Sequence, residues 1–163
     1  GQFEAALLTD EVRLLDSTRL LDSTSGWYDK NVGDFRSEHI YFWSFLKLKN
    51  DCKRILCLSE FGGYSLKVDH HVYSSRSFGY RRFSSFAAYN DAVDRIYRKR
   101  IVGNIIRQGL GLAVYTQLSD VDEEQNGLVT FDRKVIKINV ARMKNLNLLC
   151  AEVFDKKVKD ESK

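Results

Sequence analysis

The sequence predicts an α/β protein built from parallel βα units, and three observations carry that prediction. Ile55-Leu56-Cys57-Leu58 and Leu110-Gly111-Leu112-Ala113-Val114-Tyr115 are continuous apolar runs, the pattern of strands buried on both faces rather than one. Between them a helical period runs from about Ser85 to Gln108. With 163 residues, 44% of them hydrophobic and 29% charged, the chain can bury one core. Buried strands alternating with helices make either an open doubly wound sheet or a closed barrel, and periodicity does not choose between them.

The elements follow in order. Leu7, Leu8, Val12 and Leu15 share one face of a helix over residues 4–16. Thr18-Arg19-Leu20-Leu21-Asp22 reads as a short strand. A glycine-bearing loop from Ser25-Gly26-Trp27 to Gly33-Asp34 leads to a second strand at His39-Ile40-Tyr41-Phe42-Trp43. The Ile55 run is bounded by Lys53-Arg54 and by Glu60-Phe61-Gly62-Gly63, and a polar, aromatic stretch fills Gly62 to Arg82. Phe86, Tyr89, Val93, Ile96 and Tyr97 form the apolar face of the long helix, with Gly109 as its stop. A last helix begins near Asn139 with Met143, Leu146 and Leu149 inward. Residues 155–163 are charged enough to fray, which leaves 1–154 as the folded unit.

Composition excludes several classes. No run approaches the ~18 apolar residues of a membrane span, and Gly1-Gln2-Phe3-Glu4 lacks the regions of a signal peptide. Twenty-six basic against 22 acidic residues give +4, too mild to imply a polyanionic partner, and Tyr97-Arg98-Lys99-Arg100 reads as a solvated helix face. Neither nucleic acid nor membrane is expected as a partner. Cys52, Cys57 and Cys150 lack metal or disulfide spacing, so reduced thiols and a bacterial cytoplasm are the default. His70-His71 is a poor metal pair, because adjacent side chains diverge, and the chain contains no proline.

Glu60 carries the most chemical information, as a carboxylate placed just past a buried strand and followed by paired glycines. In parallel α/β proteins the C-terminal strand ends and the loops after them line the active site. Asp22, His39, Tyr41, Gln117 and Asp120 stand at or beyond other predicted strand ends, so they can converge with Glu60 on one mouth. Each also has a plain reading: Asp22 as a turn cap, His39 and Tyr41 as packed side chains, and 117–124 as an acidic loop. Polar groups flanked by Trp27, Trp43 and Tyr115 suit a sugar, whose ring face rests on aromatics while its hydroxyls take directed hydrogen bonds. Serine-hydrolase, phosphate-loop, zinc-protease and strand-linked dinucleotide motifs are absent from the sequence.

Four segments carry a family resemblance. Leu58-Ser59-Glu60-Phe61-Gly62-Gly63-Tyr64 is the first, and the second is Tyr115-Thr116-Gln117-Leu118-Ser119-Asp120-Val121-Asp122-Glu123-Glu124, continuing through Asn126-Gly127-Leu128 and Asp132-Arg133-Lys134. Asp16-Ser17-Thr18-Arg19-Leu20 through Trp27, and Gly33-Asp34-Phe35 through Phe42, are the others. Taken in chain order they resemble the catalytic barrel of glycoside hydrolase family 2, the family of β-galactosidases and β-glucuronidases. The resemblance implies a retaining exo-β-glycosidase with Glu60 as nucleophile after the seventh strand. The runs at Arg19, His39, Ile55 and Leu110 become strands five to eight of a (β/α)8 TIM barrel. His39, Tyr41, Trp27, Tyr115, Asp22, Gln117 and Asp120 become candidate substrate contacts.

The family's acid/base glutamate lies in an Asn-Glu-Gly-Trp-Gly-Gln-Phe type segment, and this chain opens at Gly1-Gln2-Phe3. The expectation is therefore the C-terminal half of a barrel, inactive alone, with the N-terminal half and upstream β-sandwich domains as partners. No cofactor is expected; some family members bind magnesium or sodium, but no ligand set here stands out. Asp34, Asp120 and Asp122 are poor substitutes for the missing acid. Open strand edges predict self-association of the isolated chain. The rival expectation is a barrel remnant that binds carbohydrate or a protein without catalysis.

Overall fold

The computed structural model describes residues 3–24, 26–41, 48 and 53–163. Helix α1 spans Ala5–Leu15, followed by strand β1 at Phe35–Ile40 and β2 at Ile55–Gly62. Two short strands, β3 (Tyr64–Leu66) and β4 (Arg81–Phe83), precede helix α2 at Phe86–Ile96. A π-helical turn at Tyr97–Ile101 joins α2 to α3 (Val102–Gln108), and β5 (Leu112–Thr116) and α4 (Val140–Glu161) complete the chain. Strands β1, β2 and β5 form one parallel sheet with β2 in the centre, and β3 pairs in parallel with β4. This is the parallel α/β class that the sequence predicts.

The helices start and stop where local chemistry directs. The Ser85 hydroxyl accepts the Ala88 N–H at 3.2 Å, and the Asn139 side chain accepts the Arg142 N–H at 2.9 Å, each meeting an orphan donor of a first turn. Gly109 closes α3 at φ 67°, with its N–H donated to the Ile105 carbonyl. The π-helical turn re-phases the long helix so that Tyr97 and Ile101 stay on the buried side. Leu56, Leu58 and Phe61 of β2 pack there against Tyr89, Val93, Ile96, Tyr97, Ile101 and Ile105, with Leu146 of α4 alongside.

The register contains the feature that matters most for function. Leu58 pairs with Glu38, but the next pair on β1 is His39 with Glu60, so Ser59 is an extra residue. The same bulge appears against β5, where Leu58 pairs with Ala113 and Phe61 with Tyr115. Strict alternation from Leu56 and Leu58 would send Glu60 to the helix-covered face. The bulge reverses the phase: Phe61 enters the helix layer, and Glu60 joins Ser37, Cys57 and His39 on the opposite face.

Several elements differ from expectation. Thr18–Asp22 is not a strand: Leu21 instead brackets Asp34, its carbonyl accepting the Asp34 N–H at 2.8 Å and its N–H donating to Asp34 Oδ2 at 2.7 Å. β1 begins four residues before His39, and Phe42 and Trp43 lie outside the described residues, as does Cys52. β2 runs on through Glu60, which is therefore within the strand. β5 is an edge strand rather than one buried on both faces, with Leu112 and Val114 exposed by 42% and 45%. α4 extends to Glu161 because Lys157 pairs with Glu161 at 2.6 Å, so the charged tail is helical rather than frayed. Helix α1 keeps its predicted apolar stripe, but Leu7, Leu8, Val12 and Leu15 are each at least 44% exposed.

No helix among the described residues is long and apolar enough to cross a membrane. The accessible surface is 10355 Å², against about 8,300 Å² for a compact monomer of this mass. Among the described residues, α2, α3 and α4 pack on the Leu56, Leu58 and Phe61 face of the sheet.

Candidate active site around Glu60

The site is built at the C-terminal ends of β1, β2 and β5. Glu60 has a side chain 41% exposed. The Tyr41 hydroxyl, one residue past β1, donates to Glu60 Oε2, and His39 Nδ1 lies 3.3 Å from the same oxygen. Thr116, the last residue of β5, brings its hydroxyl to 3.4 Å from that of Tyr41. All three strands thus contribute to one polar cluster. Burial, and then the adjacent carboxylate, push the Tyr41 hydroxyl well above its ordinary ionisation range, so it remains a proton donor to Glu60.

Aromatic rings and glycines fix this cluster. Trp27 meets the His39 ring edge-on at 5.9 Å between centroids and is itself 63% exposed. The His39 N–H donates to the Gly26 carbonyl at 3.2 Å. Tyr80 stacks face to face on Tyr41, with centroids 3.9 Å apart and an interplanar angle of 13°. Gly62 and Gly63 have φ 96° and 59°, conformations that L side chains rarely adopt. A Cβ at Gly62 would stand 2.5 Å from the Tyr115 ring, and one at Gly63 would stand 2.5 Å from Tyr80 and 2.8 Å from Tyr41.

Beside this lies an amide and carboxylate group. Gln117 Nε2 donates to Asn126 Oδ1 at 2.7 Å and to Glu124 Oε2 at 3.1 Å, and Asn126 Nδ2 reaches the same Glu124 oxygen at 3.4 Å. The peptide between Thr116 and Gln117 is cis.

Of the predicted residues, Glu60, His39, Tyr41 and Trp27 come together, and Gln117 adjoins them through Thr116. Three others do different work. Asp22 is exposed and accepts a hydrogen bond from Ser37 at 2.8 Å, further toward the start of β1 than His39. Tyr115 is a core ring rather than a pocket wall, edge-on to Phe61 at 5.5 Å and stacked with Tyr97 at 6.5 Å.

Asp120 is 2% exposed and ion-paired at 2.7 Å with Lys137, which is fully buried. The Lys137 ammonium also donates to the carbonyls of Leu66 and Gln125, and Asp120 Oδ1 also accepts the Gly127 N–H. Burial pushes the Asp120 carboxyl up and the Lys137 ammonium down from their ordinary values, while their pairing opposes both shifts. This pair organises the 117–137 loop.

Sequence reasoning passed over Thr116, Tyr80 and Asn126 as site residues, and took Glu124 only as part of an acidic loop. Their common signal was position: Thr116 ends β5 at the level of Gly62, its pairing partner. Tyr80 meets the site through the pairing of its N–H with the Gly63 carbonyl. His71 is held by Asp132 at 2.8 Å, and no group of three metal-ligating side chains occurs among the described residues.

Comparison with known proteins returned no matching family model and no matching curated protein.

Proposed function

We propose that the Glu60 cluster is the nucleophile side of a retaining β-glycosidase site, as the resemblance to glycoside hydrolase family 2 implies. In this reading β1, β2 and β5 are strands six, seven and eight of a (β/α)8 barrel. One observation carries it: the bulge at Ser59 turns Glu60 onto the uncovered face, where Tyr41 and His39 hold one carboxylate oxygen. The other oxygen is left to attack.

The chemistry follows from that grip. Glu60 Oε1 attacks the anomeric carbon and forms a glycosyl ester as the glycosidic C–O bond breaks, and the leaving oxygen takes a proton from a second carboxylic acid. That group, now a base, takes a proton from water as the water releases the sugar and frees Glu60. Tyr41 keeps its proton throughout and holds Oε2 against rotation. Trp27 offers its exposed face to the sugar ring.

Retention requires the second carboxyl ~5 to 5.5 Å from the first. Asp34 is engaged by Arg13 at 2.6 Å and by the Leu21 N–H, Asp120 is buried with Lys137, and Asp122 sits in a left-handed turn at φ 48°. The resemblance assigns the acid to a complementary barrel half, preceded by β-sandwich domains. The reaction needs no cofactor, and free Cys57 and Cys150 suit a reducing compartment such as the bacterial cytoplasm.

The test is expression of the full reading frame that encodes this chain. Aryl β-glycosides should be hydrolysed with retained anomeric configuration, read by proton NMR. Glu60→Gln should lower kcat by about 10³-fold or more while sugar still binds. Full turnover in Glu60→Gln, or an inverted product, would overturn the proposal.

A further inference from the structure

We infer that Arg81, Arg95 and Arg100 gather around the Tyr64 hydroxyl to form a binding site for a terminal phosphate group, inorganic or carried by a small metabolite. Such a site holds whether or not Glu60 is a nucleophile.

The geometry begins at the short sheet of β3 and β4. Tyr64 pairs with Arg81 and Leu66 with Phe83, so the side chains of Tyr64, Arg81 and Phe83 share one face. The rings of Tyr64 and Phe83 are 5.4 Å apart, and the Arg81 guanidinium sits over both, 5.8 Å from the Tyr64 centroid and 5.0 Å from that of Phe83. Helix α2 packs on both strands and runs into the π-helical turn. There the basic run divides: Arg98 is ion-paired with Asp94 at 2.9 Å, Lys99 is exposed, and Arg100 is half-buried. Burial raises the ionisation of the Tyr64 hydroxyl, and the charges of Arg81, then Arg95 and Arg100, oppose that rise. Guanidiniums from β4, α2 and the π-helical turn therefore act on one hydroxyl.

Like charges gathered in this way repel one another unless an anion joins them. The described residues supply none. The aspartates of α2 are spent elsewhere, Asp94 on Arg98 and Asp91 on Arg142, each at 2.9 Å, and among the described residues Arg81, Arg95 and Arg100 make no ion pair. A terminal phosphate brings three acceptor oxygens and nearly two negative charges at neutral pH. Guanidinium forks fit such oxygens two at a time, with the charge fixed at any ordinary pH. Tyr64 stays protonated and adds an O–H donor to the same group. A phosphodiester, with two free oxygens and one charge, leaves part of this donor set unused, which favours a small phosphate over a nucleic-acid backbone.

The experiment is isothermal titration calorimetry of the full chain at low salt with inorganic phosphate, glucose 6-phosphate and dimethyl phosphate. Inorganic phosphate should saturate a single site with Kd below about 1 mM, and dimethyl phosphate should bind about tenfold more weakly or worse. Arg95→Gln and Arg100→Gln should each weaken phosphate by about tenfold or more. Arg19→Gln removes the same charge from an exposed position and should leave the affinity unchanged. Glucose 6-phosphate held at least as tightly as phosphate marks a carried phosphate group, and a weaker hold marks the free ion; both uphold the site. Absence of saturable binding, an affinity unchanged in Arg95→Gln and Arg100→Gln, or dimethyl phosphate bound as tightly as phosphate overturns it. If Arg100→Gln does not accumulate as folded protein, Arg95→Gln, at an exposed residue, decides alone.

Discussion

Lys137 shows how a charge survives at zero exposure: its ammonium spends three hydrogen bonds on Asp120 and the carbonyls of Leu66 and Gln125. Removing one member of such a pair strands the other. Lys137→Met should therefore cost about 3–5 kcal/mol in urea unfolding, with the Lys137→Met/Asp120→Leu double variant recovering part of that loss. Cys57 is a second case, since burial raises its thiol to about 11. Ellman's reagent at pH 8 should reach Cys57 only after denaturant is added. Glu60, His39 and Tyr41 were legible because strand ends and motif spacing name them. Asp120 and Tyr115 were misplaced for a physical reason: a polar residue past a strand can turn inward if a cation meets it there, and sequence does not show that Lys137 lies opposite.

At the scale of elements, β2 makes neighbouring residues answer to different layers. Phe61 packs under Tyr97 and Tyr115, whereas Glu60 faces away from the helices. Phe61→Ala should cost about 3–5 kcal/mol, and Glu60→Ala much less, in the same thermal or urea measurement. Equal losses would argue against the bulge phase. The apolar spacing Leu56, Leu58, Phe61, two then three, was the visible trace of that bulge, but an unbroken run read as buried on both faces concealed it.

Loop-to-loop links add a pH dependence. His71, and then Thr130, hold the Asp132 carboxyl well below its ordinary value, as Arg13 and the Leu21 N–H do for Asp34. Folded values below unfolded ones mean that the native state binds fewer protons. The stabilisation is complete above the ordinary carboxylate range near 3.8 and fades as pH falls toward the depressed folded values. Asp132→Asn should lower Tm at neutral pH, with the difference from wild type shrinking as pH falls, so that the acid limb of the pH–Tm curve flattens.

For the molecule as a whole, the excess surface is the dominant fact. A parallel sheet is ordinarily covered on both faces, and here Leu112, Val114 and the stripe of α1 remain open. Burying about 800 Å² per chain suffices for a stable pair, less than the excess present. The 163-residue chain should run as a dimer or larger in light scattering, and Val114→Glu should shift it toward monomer. A monodisperse wild-type monomer would count against this reading. The parallel α/β class was legible because buried runs and helical periods are local. Closure into a barrel is not local, since it would depend on strands pairing with the outer edges of β1 and β5.

Gly62 and Gly63 carry a consequence in the language of heredity. Every missense change in a glycine codon, whichever base mutates, installs a Cβ. At these two positions a Cβ meets Tyr115, or Tyr80 and Tyr41, in a backbone that already disfavours it. The two codons after Phe61 should therefore accept silent changes and reject replacements. A saturation library scored for folded protein would show a two-codon gap there, beside a Glu60 codon that tolerates replacement freely in the same screen and loses that tolerance only when the selection is for turnover.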